Sequence, residues 1–159
     1  MIAIARFERG DIDDVYAIQR AAFRPLYEKY HDDGLNPYLE SRETILQKYT
    51  REGIVGYIFK MGGLTVGAVR VGISDAGKSG RIAGLCVMPN YQGRGIAQEA
   101  LLEIEMMHPG IEKWCLDTIQ EETGNCYLYE KIGYKKTGKT EVINEKMTLV
   151  FYEKIKRII

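Results

Sequence analysis

Three β-rich runs joined by very short links lie in the middle of the chain, and they constrain its fold more than any other feature. The runs are GIVGYIFK, LTVGAVRVGI and RIAGLCVM, joined by the turn MGG and by a short segment of Gly, Ser and Asp. Short links join antiparallel strands, because a parallel pair needs a crossover of about a dozen residues or more. Pro89 ends the third run, since proline cannot donate to a strand ladder. The sequence therefore predicts an antiparallel three-stranded meander.

Helical and strand-like segments precede this meander. IAIARF alternates like a strand, and GDIDDVYAIQRAAF follows with the apolar spacing of a helix, so Pro25 is expected just past the end of that helix. Residues 24–41 are predicted as a long loop or a broken helix, and a second helix is predicted over residues 42–49.

Further helices and strands follow the meander. Residues 96–107 have the spacing of a helix with one buried face, and KWCLDT, NCYLYEKI and EKMTLVFYEK are predicted as a strand, a shorter helix and a last strand. A polar turn is expected between YKKTG and that last strand. The fold class is therefore α/β (α+β): a mixed, mostly antiparallel central sheet flanked by helices, in a single domain over residues 1–159.

The composition narrows the kind of partner. Of the 159 residues 45% are hydrophobic, and 22 basic and 22 acidic side chains are scattered along the chain. This scattered, balanced charge argues against a polybasic surface for nucleic acid or an anionic membrane. No apolar run reaches the ~18 residues of a membrane span, and the N-terminus is charged too early for a signal peptide. We expect a cytoplasmic protein whose partner is a small molecule.

The cysteines and histidines lack the spacing of metal ligands. Cys86, Cys115 and Cys126 are odd in number and form no CxxC pair, and His31 and His108 are far apart. We expect reduced cysteines and no metal site.

The start of the helix after the meander lacks a cap. A helix start leaves about four backbone N–H groups without partners and carries about half a positive charge. Residues 92–98 contain no Ser, Thr, Asp or Glu, and Glu99 comes too late to serve. Gly93 and Gly95 keep Cβ atoms away from this start, and Arg94 adds a positive charge. Such a start is suited to a phosphate or pyrophosphate.

This stretch has two other interpretations. The glycines could serve only a tight turn between strand and helix, since an isolated Gly-x-Gly is a weak signal. A nucleotide fold fits poorly, because there is no Gly-Lys-Ser/Thr and Gln92 replaces the first glycine of GxGxxG.

The stretch QGRGIA resembles the Q/R-x-x-G-x-G/A signature of the GCN5-related N-acetyltransferase superfamily. Downstream, NCYLYEKIGYKKTG is similar to the later LYEKLGF segment of that superfamily, and the order of strands and helices agrees over nearly the whole chain. The resemblance implies acetyl-CoA as co-substrate, with its pyrophosphate at the glycine-rich helix start. The residues implied in holding the pyrophosphate are Gln92, Gly93, Arg94, Gly95, Ile96 and Ala97.

The same resemblance assigns the rest of the coenzyme site and the catalytic groups. Leu85, Cys86 and Val87 would face the pantetheine arm, and Asn125 would touch it or else serve as an ordinary helix N-cap. Tyr129 would be the general acid that protonates the departing thiolate, unless it is a core tyrosine.

The general base is less clearly marked. Many members of the superfamily carry a glutamate on the strand before the helix, but RIAGLCV has no carboxylate. Asp117 is the candidate base, and its alternative is a strand-end cap of the next turn. The loop HDDGLNPYLES would border the acceptor pocket with aromatic and acidic side chains.

The resemblance implies an acetyl-CoA-dependent N-acetyltransferase that transfers the acetyl group directly to a primary amine on a small molecule or peptide. A non-catalytic acyl-CoA-binding regulatory module is the alternative, because the strand glutamate is missing. The apolar alternation of Met147, Leu149 and Phe151 allows either a homodimer contact or core packing. The identity of the acceptor is left open by the sequence.

Overall fold

The computed structural model describes residues 1–34 and 36–156. Their seven strands form one sheet in the order β1-β2-β3-β4-β5-β7-β6, and every neighbouring pair is antiparallel except β4 and β5. The strands are β1 Ala3–Arg6, β2 Ile54–Met61, β3 Leu64–Ser74, β4 Ser79–Val87, β5 Lys113–Ile119, β6 Lys135–Asn144 and β7 Met147–Ile155. The helices are α1 Ile12–Tyr30, α2 Arg42–Thr50, α3 Ile96–Met107 and α4 Thr123–Lys131. The predicted mixed, mostly antiparallel sheet flanked by helices is confirmed, as is the meander β2-β3-β4. The predicted domain range of 1–159 includes residues 35 and 157–159, which lie outside the described residues.

Helices cover both faces of the sheet because its central strands are apolar on both sides. In β2, the side chains of Tyr57 and Phe59 join the core under α3 and α4, while Ile58 between them joins the core under α1 and α2. This alternation follows from the two-residue period of a strand. No helix among the described residues is long and apolar enough to cross a membrane.

The first helix is longer than the sequence predicted. Helix α1 continues through Pro25 to Tyr30, so the prediction of a loop or broken helix from residue 24 was wrong for its first seven residues. Pro25 removes one helical N–H, a cost that tertiary contacts can offset. Tyr30 is buried, and its hydroxyl donates to the Glu122 carboxylate over 2.6 Å. The helix ends at Tyr30, and the next residue, His31, has a φ of 50°.

A strand replaces the polar turn predicted after YKKTG. Strand β6 pairs with β7 from Lys135 opposite Glu153 to Asn144 opposite Met147, with two irregularities in register. Most of its side chains are exposed, so it lacks the apolar alternation that marks a half-buried strand. The neighbouring strand β7 therefore holds it in place through backbone pairing.

Strands β4 and β5 pair only at their beginnings. Their parallel ladder runs from Ser79 opposite Lys113 to Arg81 opposite Cys115, and no further pairs follow. On its other side β4 carries a bulge at Gly84, where φ is 66° and an added Cβ would lie 2.7 Å from the Arg70 guanidinium. The two strands therefore open a gap in the middle of the sheet.

Candidate functional site

The start of α3 is open, as its sequence predicted. Gly95 occupies the N-cap position with φ of 80°, and no side chain caps the helix. Gly93 also has a positive φ, 76°, and an added Cβ at either glycine would meet no atom within 4 Å. The acid of the first turn, Glu99, is engaged elsewhere, because its carboxylate accepts from the Ile2 N–H over 3.0 Å. The free N–H groups of α3 therefore face open space.

The two polar side chains of this stretch have different roles. The Gln92 amide donates to the Val87 carbonyl over 2.9 Å, which ties the turn back to the end of β4. The Arg94 guanidinium lies over the Tyr91 ring, 4.9 Å from its centroid. Gln92 therefore braces the turn. Arg94 lies at the edge of the turn and does not line the cavity that opens from the α3 start.

A large cavity of about 560 Å³ extends from the α3 start to α4 and passes under the second half of α1. Its walls come from the end of β4, the glycine-rich turn, α1 and α4. Among the sequence-predicted residues, those that line it are Leu85, Cys86, Val87, Gln92, Gly93, Gly95, Ile96, Ala97, Asn125 and Tyr129. The α1 residues that line it are Ala22, Phe23, Pro25 and Leu26, which belong in part to the segment predicted as a loop.

A small cavity of about 300 Å³ lies in the gap between β4 and β5. It is closed by the connection after α1 and by β7, and Asp117, Asp32 and Tyr129 are among its lining residues. The two cavities share five residues, which are Phe23, Leu26, Leu85, Asn125 and Tyr129. Two ligands, one in each cavity, would thus meet beside Tyr129.

The hydroxyl of Tyr129 stays protonated at this junction. Its side chain is buried, and burial raises the pKa of its hydroxyl well above the usual value, with further contributions from Asp117 and Cys126. A raised pKa keeps the hydroxyl protonated at neutral pH. The ring also packs against Tyr134 and Tyr152, with centroids 6.0 and 6.2 Å away, so its position is fixed.

Asp117 lines the small cavity in an ion pair that the sequence did not reveal. Its carboxylate accepts from the guanidinium of Arg81 on the neighbouring parallel strand. Arg81 and Asp117 are far apart along the chain, so only the pairing of β4 with β5 brings them together.

Asp32 is also part of the small cavity. The sequence placed it in a loop that would border the acceptor pocket, and the side chain is only 6% exposed. Its Oδ1 accepts from the Asn36 amide over 2.8 Å. No sequence pattern distinguishes Asp32 from the neighbouring Asp33, which is exposed and accepts from the Tyr27 hydroxyl.

Cys86 contributes to the wall of the large cavity but its thiol points into the core under α1 and α2. The thiol lies 3.8 Å from the Ala68 carbonyl, and burial raises its pKa to about 12. A thiol with such a pKa is a poor nucleophile at neutral pH, because the thiolate is the reactive form. A covalent intermediate on Cys86 is therefore disfavoured.

Asn125 lies in the first turn of α4 and lines both cavities. The N-cap position is taken by Glu122, so the alternative that Asn125 caps the helix was wrong. The Glu122 carboxylate accepts from Lys29 over 2.8 Å and from Tyr30 over 2.6 Å, which joins the end of α1 to the start of α4. Although burial opposes it, these hydrogen bonds and the Lys29 charge lower the pKa of Glu122.

Within residues 1–34 and 36–156, no group of three or more His, Cys, Asp or Glu side chains could hold a metal ion.

An uncapped helix start suits a phosphate-bearing ligand, and here it opens into a cavity that shares lining residues with a second one. The chain belongs to the Acetyltransferase (GNAT) family, whose model matches residues 12–134. An acetyltransferase, plu1384, from Photorhabdus laumondii is 29% identical over 123 residues, which cover 76% of this chain and 85% of the relative.

Solved structures share the fold at low sequence identity. The PaiA N-acetyltransferase of Thermoplasma acidophilum, in complex with coenzyme A, matches with a TM-score of 0.79 and 16% identity over 98% of this chain and 99% of its own. The spermidine N-acetyltransferase of Vibrio cholerae, in complex with CoA and spermine, matches with a TM-score of 0.77 and 18% identity over 97% and 95% of the two chains. These structures share the fold of this chain, while the family match over residues 12–134 confirms the resemblance inferred from the two sequence motifs.

Proposed function

We propose that this protein is an acetyl-CoA-dependent N-acetyltransferase, with a single catalytic domain over residues 1–159. The observation that carries the proposal is the uncapped start of α3, which opens into a cavity that meets a second cavity beside Tyr129. The first cavity would take the donor and the second the acceptor amine. The coenzyme complexes of the two structural relatives support this choice of donor.

Residues 92–97 would hold the pyrophosphate, chiefly through the free N–H groups of α3 and the nearby charge of Arg94. The end of β4, Leu85 to Val87, would run beside the pantetheine arm, and Asn125 would contact the arm from α4. The thioester would then lie in the gap between β4 and β5, where the two cavities meet.

In the transfer step, the neutral amine nitrogen attacks the thioester carbonyl carbon, a C–N bond forms and the C–S bond breaks. The Tyr129 hydroxyl, which lies beside the junction and keeps its proton at neutral pH, donates that proton to the departing sulfur. The attacking nitrogen loses a proton, for which Asp117 is the proposed acceptor, directly or through water. For an amine of pKa ~10.4, deprotonation at pH 7 costs about 4.6 kcal/mol, so a base matters most for such acceptors.

One observation favours a second candidate, a non-catalytic acyl-CoA-binding module. The part of β4 that lines the two cavities, Ile82 to Val87, carries no carboxylate to act as a base. In that case the protein would bind acetyl-CoA and transfer nothing.

The two candidates are separated by incubating the protein with acetyl-CoA and a panel of primary amines. We expect release of free thiol together with an acetylated amine identified by mass spectrometry. Micromolar binding of acetyl-CoA without turnover of any amine would support the binding module instead. Competition by ATP or NAD with coenzyme A would contradict both.

A further inference from the structure

The small cavity carries an unbalanced negative charge. Its described lining includes two carboxylates, Asp32 and Asp117, and no Lys, Arg or His. Asp117 is neutralised by its ion pair with Arg81. Within the described part of the chain, Asp32 forms no ion pair, and its neighbour Asp33 does not line the cavity.

The Asp32 carboxylate is held in a fixed position. Its Oδ1 accepts from the Asn36 amide nitrogen, while the Asn36 amide oxygen accepts from the Tyr38 N–H over 2.9 Å. Both polar atoms of Asn36 are thus engaged. A buried carboxylate that lacks a cation is costly, because water no longer solvates its charge. Asp32 is therefore suited to receive a cation from a ligand.

The segment that carries Asp32 is anchored to α1. The Gln19 amide donates to the Pro37 carbonyl over 2.8 Å and to the Glu40 carboxylate over 2.7 Å. Arg20 donates to the carbonyl of Tyr38, and its guanidinium lies 4.5 Å from the centre of the Tyr38 ring. This anchoring preorganises the cavity wall, which lowers the entropy cost of binding.

The remaining walls of the small cavity are mostly apolar. They include side chains from α1, β4, β5 and β7, namely Phe23, Leu26, Ile82, Leu116, Met147 and Leu149. A second or third ammonium group placed here would lose its hydration and find no further unpaired carboxylate among the described lining residues. An alkyl or aromatic group would instead gain by leaving water.

From these features we propose that the acceptor is a small primary amine with one positive charge and an apolar body, and that Asp32 binds its ammonium group when the acceptor enters. The same nitrogen then gives one proton to Asp117, directly or through water, and attacks the thioester as the neutral amine. The volume of about 300 Å³ suits a molecule of this size. This inference rests on the proposed function and selects one class from among the amines that remain open. It separates the protein from an enzyme for polyamines, whose substrates carry several charges.

The test compares amines that differ in charge and apolar surface. Thiol release from acetyl-CoA is measured with 2-phenylethylamine and 3-methylbutylamine, and with putrescine, spermidine and an unblocked tripeptide. We expect kcat/KM at least 10-fold higher for the two apolar monoamines. Calorimetry with the CoA-saturated protein measures the affinity for 2-phenylethylamine and for its neutral isostere 2-phenylethanol. The affinity for 2-phenylethanol should be at least 10-fold lower.

A pair of variants tests the role of Asp32. Asp32→Asn should raise KM for 2-phenylethylamine at least 10-fold and leave KM for acetyl-CoA within twofold, because the charge is removed while the hydrogen bond with Asn36 can persist. Asp33→Asn is the matched control and should leave both within twofold. Thermal unfolding checks that both variants fold, and the comparison with 2-phenylethanol needs no variant.

The outcomes separate the two proposals. Better turnover of spermidine or the tripeptide, equal affinity for 2-phenylethanol and 2-phenylethylamine, or equal behaviour of the two Asp variants would overturn the assignment of the acceptor class. An N-acetyltransferase would still stand in each of those cases. Failure to acetylate any amine despite binding of acetyl-CoA would overturn the proposed function, and the acceptor class with it.

Discussion

Helices α2 and α3 begin in opposite ways. At the start of α2 the Ser41 hydroxyl accepts from the Thr44 N–H over 3.1 Å, so the helix provides its own cap. At the start of α3, Gly95 offers no side chain and the space beside it is open. The start of any helix leaves backbone N–H groups without a partner inside the helix and carries a partial positive charge, so both helices began with the same requirement.

The difference shows which of the two helix starts is free to bind an anion. A side-chain cap contributes about 1 kcal/mol to stability, and α3 lacks this contribution. Instead, α3 gains stability by burying Ala100, Leu101 and Ile104 against the sheet. The start of α3 can therefore remain open for a ligand, whereas α2 has no cavity at its start among those described.

Giving α3 a carboxylate of its own should produce the largest effect. In Gly95→Asp the new charge would compete with the pyrophosphate for the same N–H groups and repel it. Two like charges ~4 Å apart cost about 4 kcal/mol at an effective dielectric of 20. We expect the Kd for acetyl-CoA, measured by calorimetry, to rise about 1000-fold.

Gly77→Asp is the matched control for backbone strain. Gly77 has φ of 84° and open space around it, but it lies in the turn between β3 and β4. The Gly77→Asp variant should lose about as much stability as Gly95→Asp but bind acetyl-CoA normally. Normal binding by a folded Gly95→Asp variant would show that α3 does not hold the pyrophosphate.

A smaller effect, confined to turnover, is expected at the far end of the large cavity. Tyr129→Phe removes the proposed proton donor and keeps the ring, so kcat should fall about 100-fold while the Kd for acetyl-CoA stays within twofold. Because its pKa is raised above the usual ~10, wild-type Tyr129 should remain protonated, and kcat should show no loss from its ionisation up to pH 9. Unchanged kcat with a confirmed acceptor would remove Tyr129 from the mechanism.

The smallest effect should come from removing the cap of α2. Ser41→Ala leaves the Thr44 N–H without its partner and should lower the free energy of unfolding by about 1 kcal/mol, measured by urea denaturation. The Kd for acetyl-CoA should not change. A loss of coenzyme binding in this variant would mean that the two helix starts are not independent.

The elements that the sequence predicted correctly are those marked by local patterns. The meander has alternation and short turns, and α3 has a regular apolar face, so both were predicted with nearly the right bounds. The open start of α3 was predictable because capping depends on the few residues next to it. The family resemblance rested on this local stretch and on NCYLYEKIGY, and the match over residues 12–134 confirms it.

The elements that the sequence did not reveal depend on distant contacts. Helix α1 passes Pro25 with its end held by Glu122, and β6 is a strand because β7 pairs with it. The burial of Asp32 and the pairing of Asp117 with Arg81 likewise arise only when separate segments meet.

The sequence by itself thus determined the order of most strands and helices, the open helix start and the family. Local periodicity and capping are enough for these features, because each involves residues within a few positions of one another. Only the tertiary structure decided that the two cavities meet at Tyr129 and that Asp32, which forms no ion pair within the described residues, lines the smaller one. Those properties depend on the partial pairing of β4 with β5 and on the packing of α1 over the gap, which bring together residues far apart in the chain.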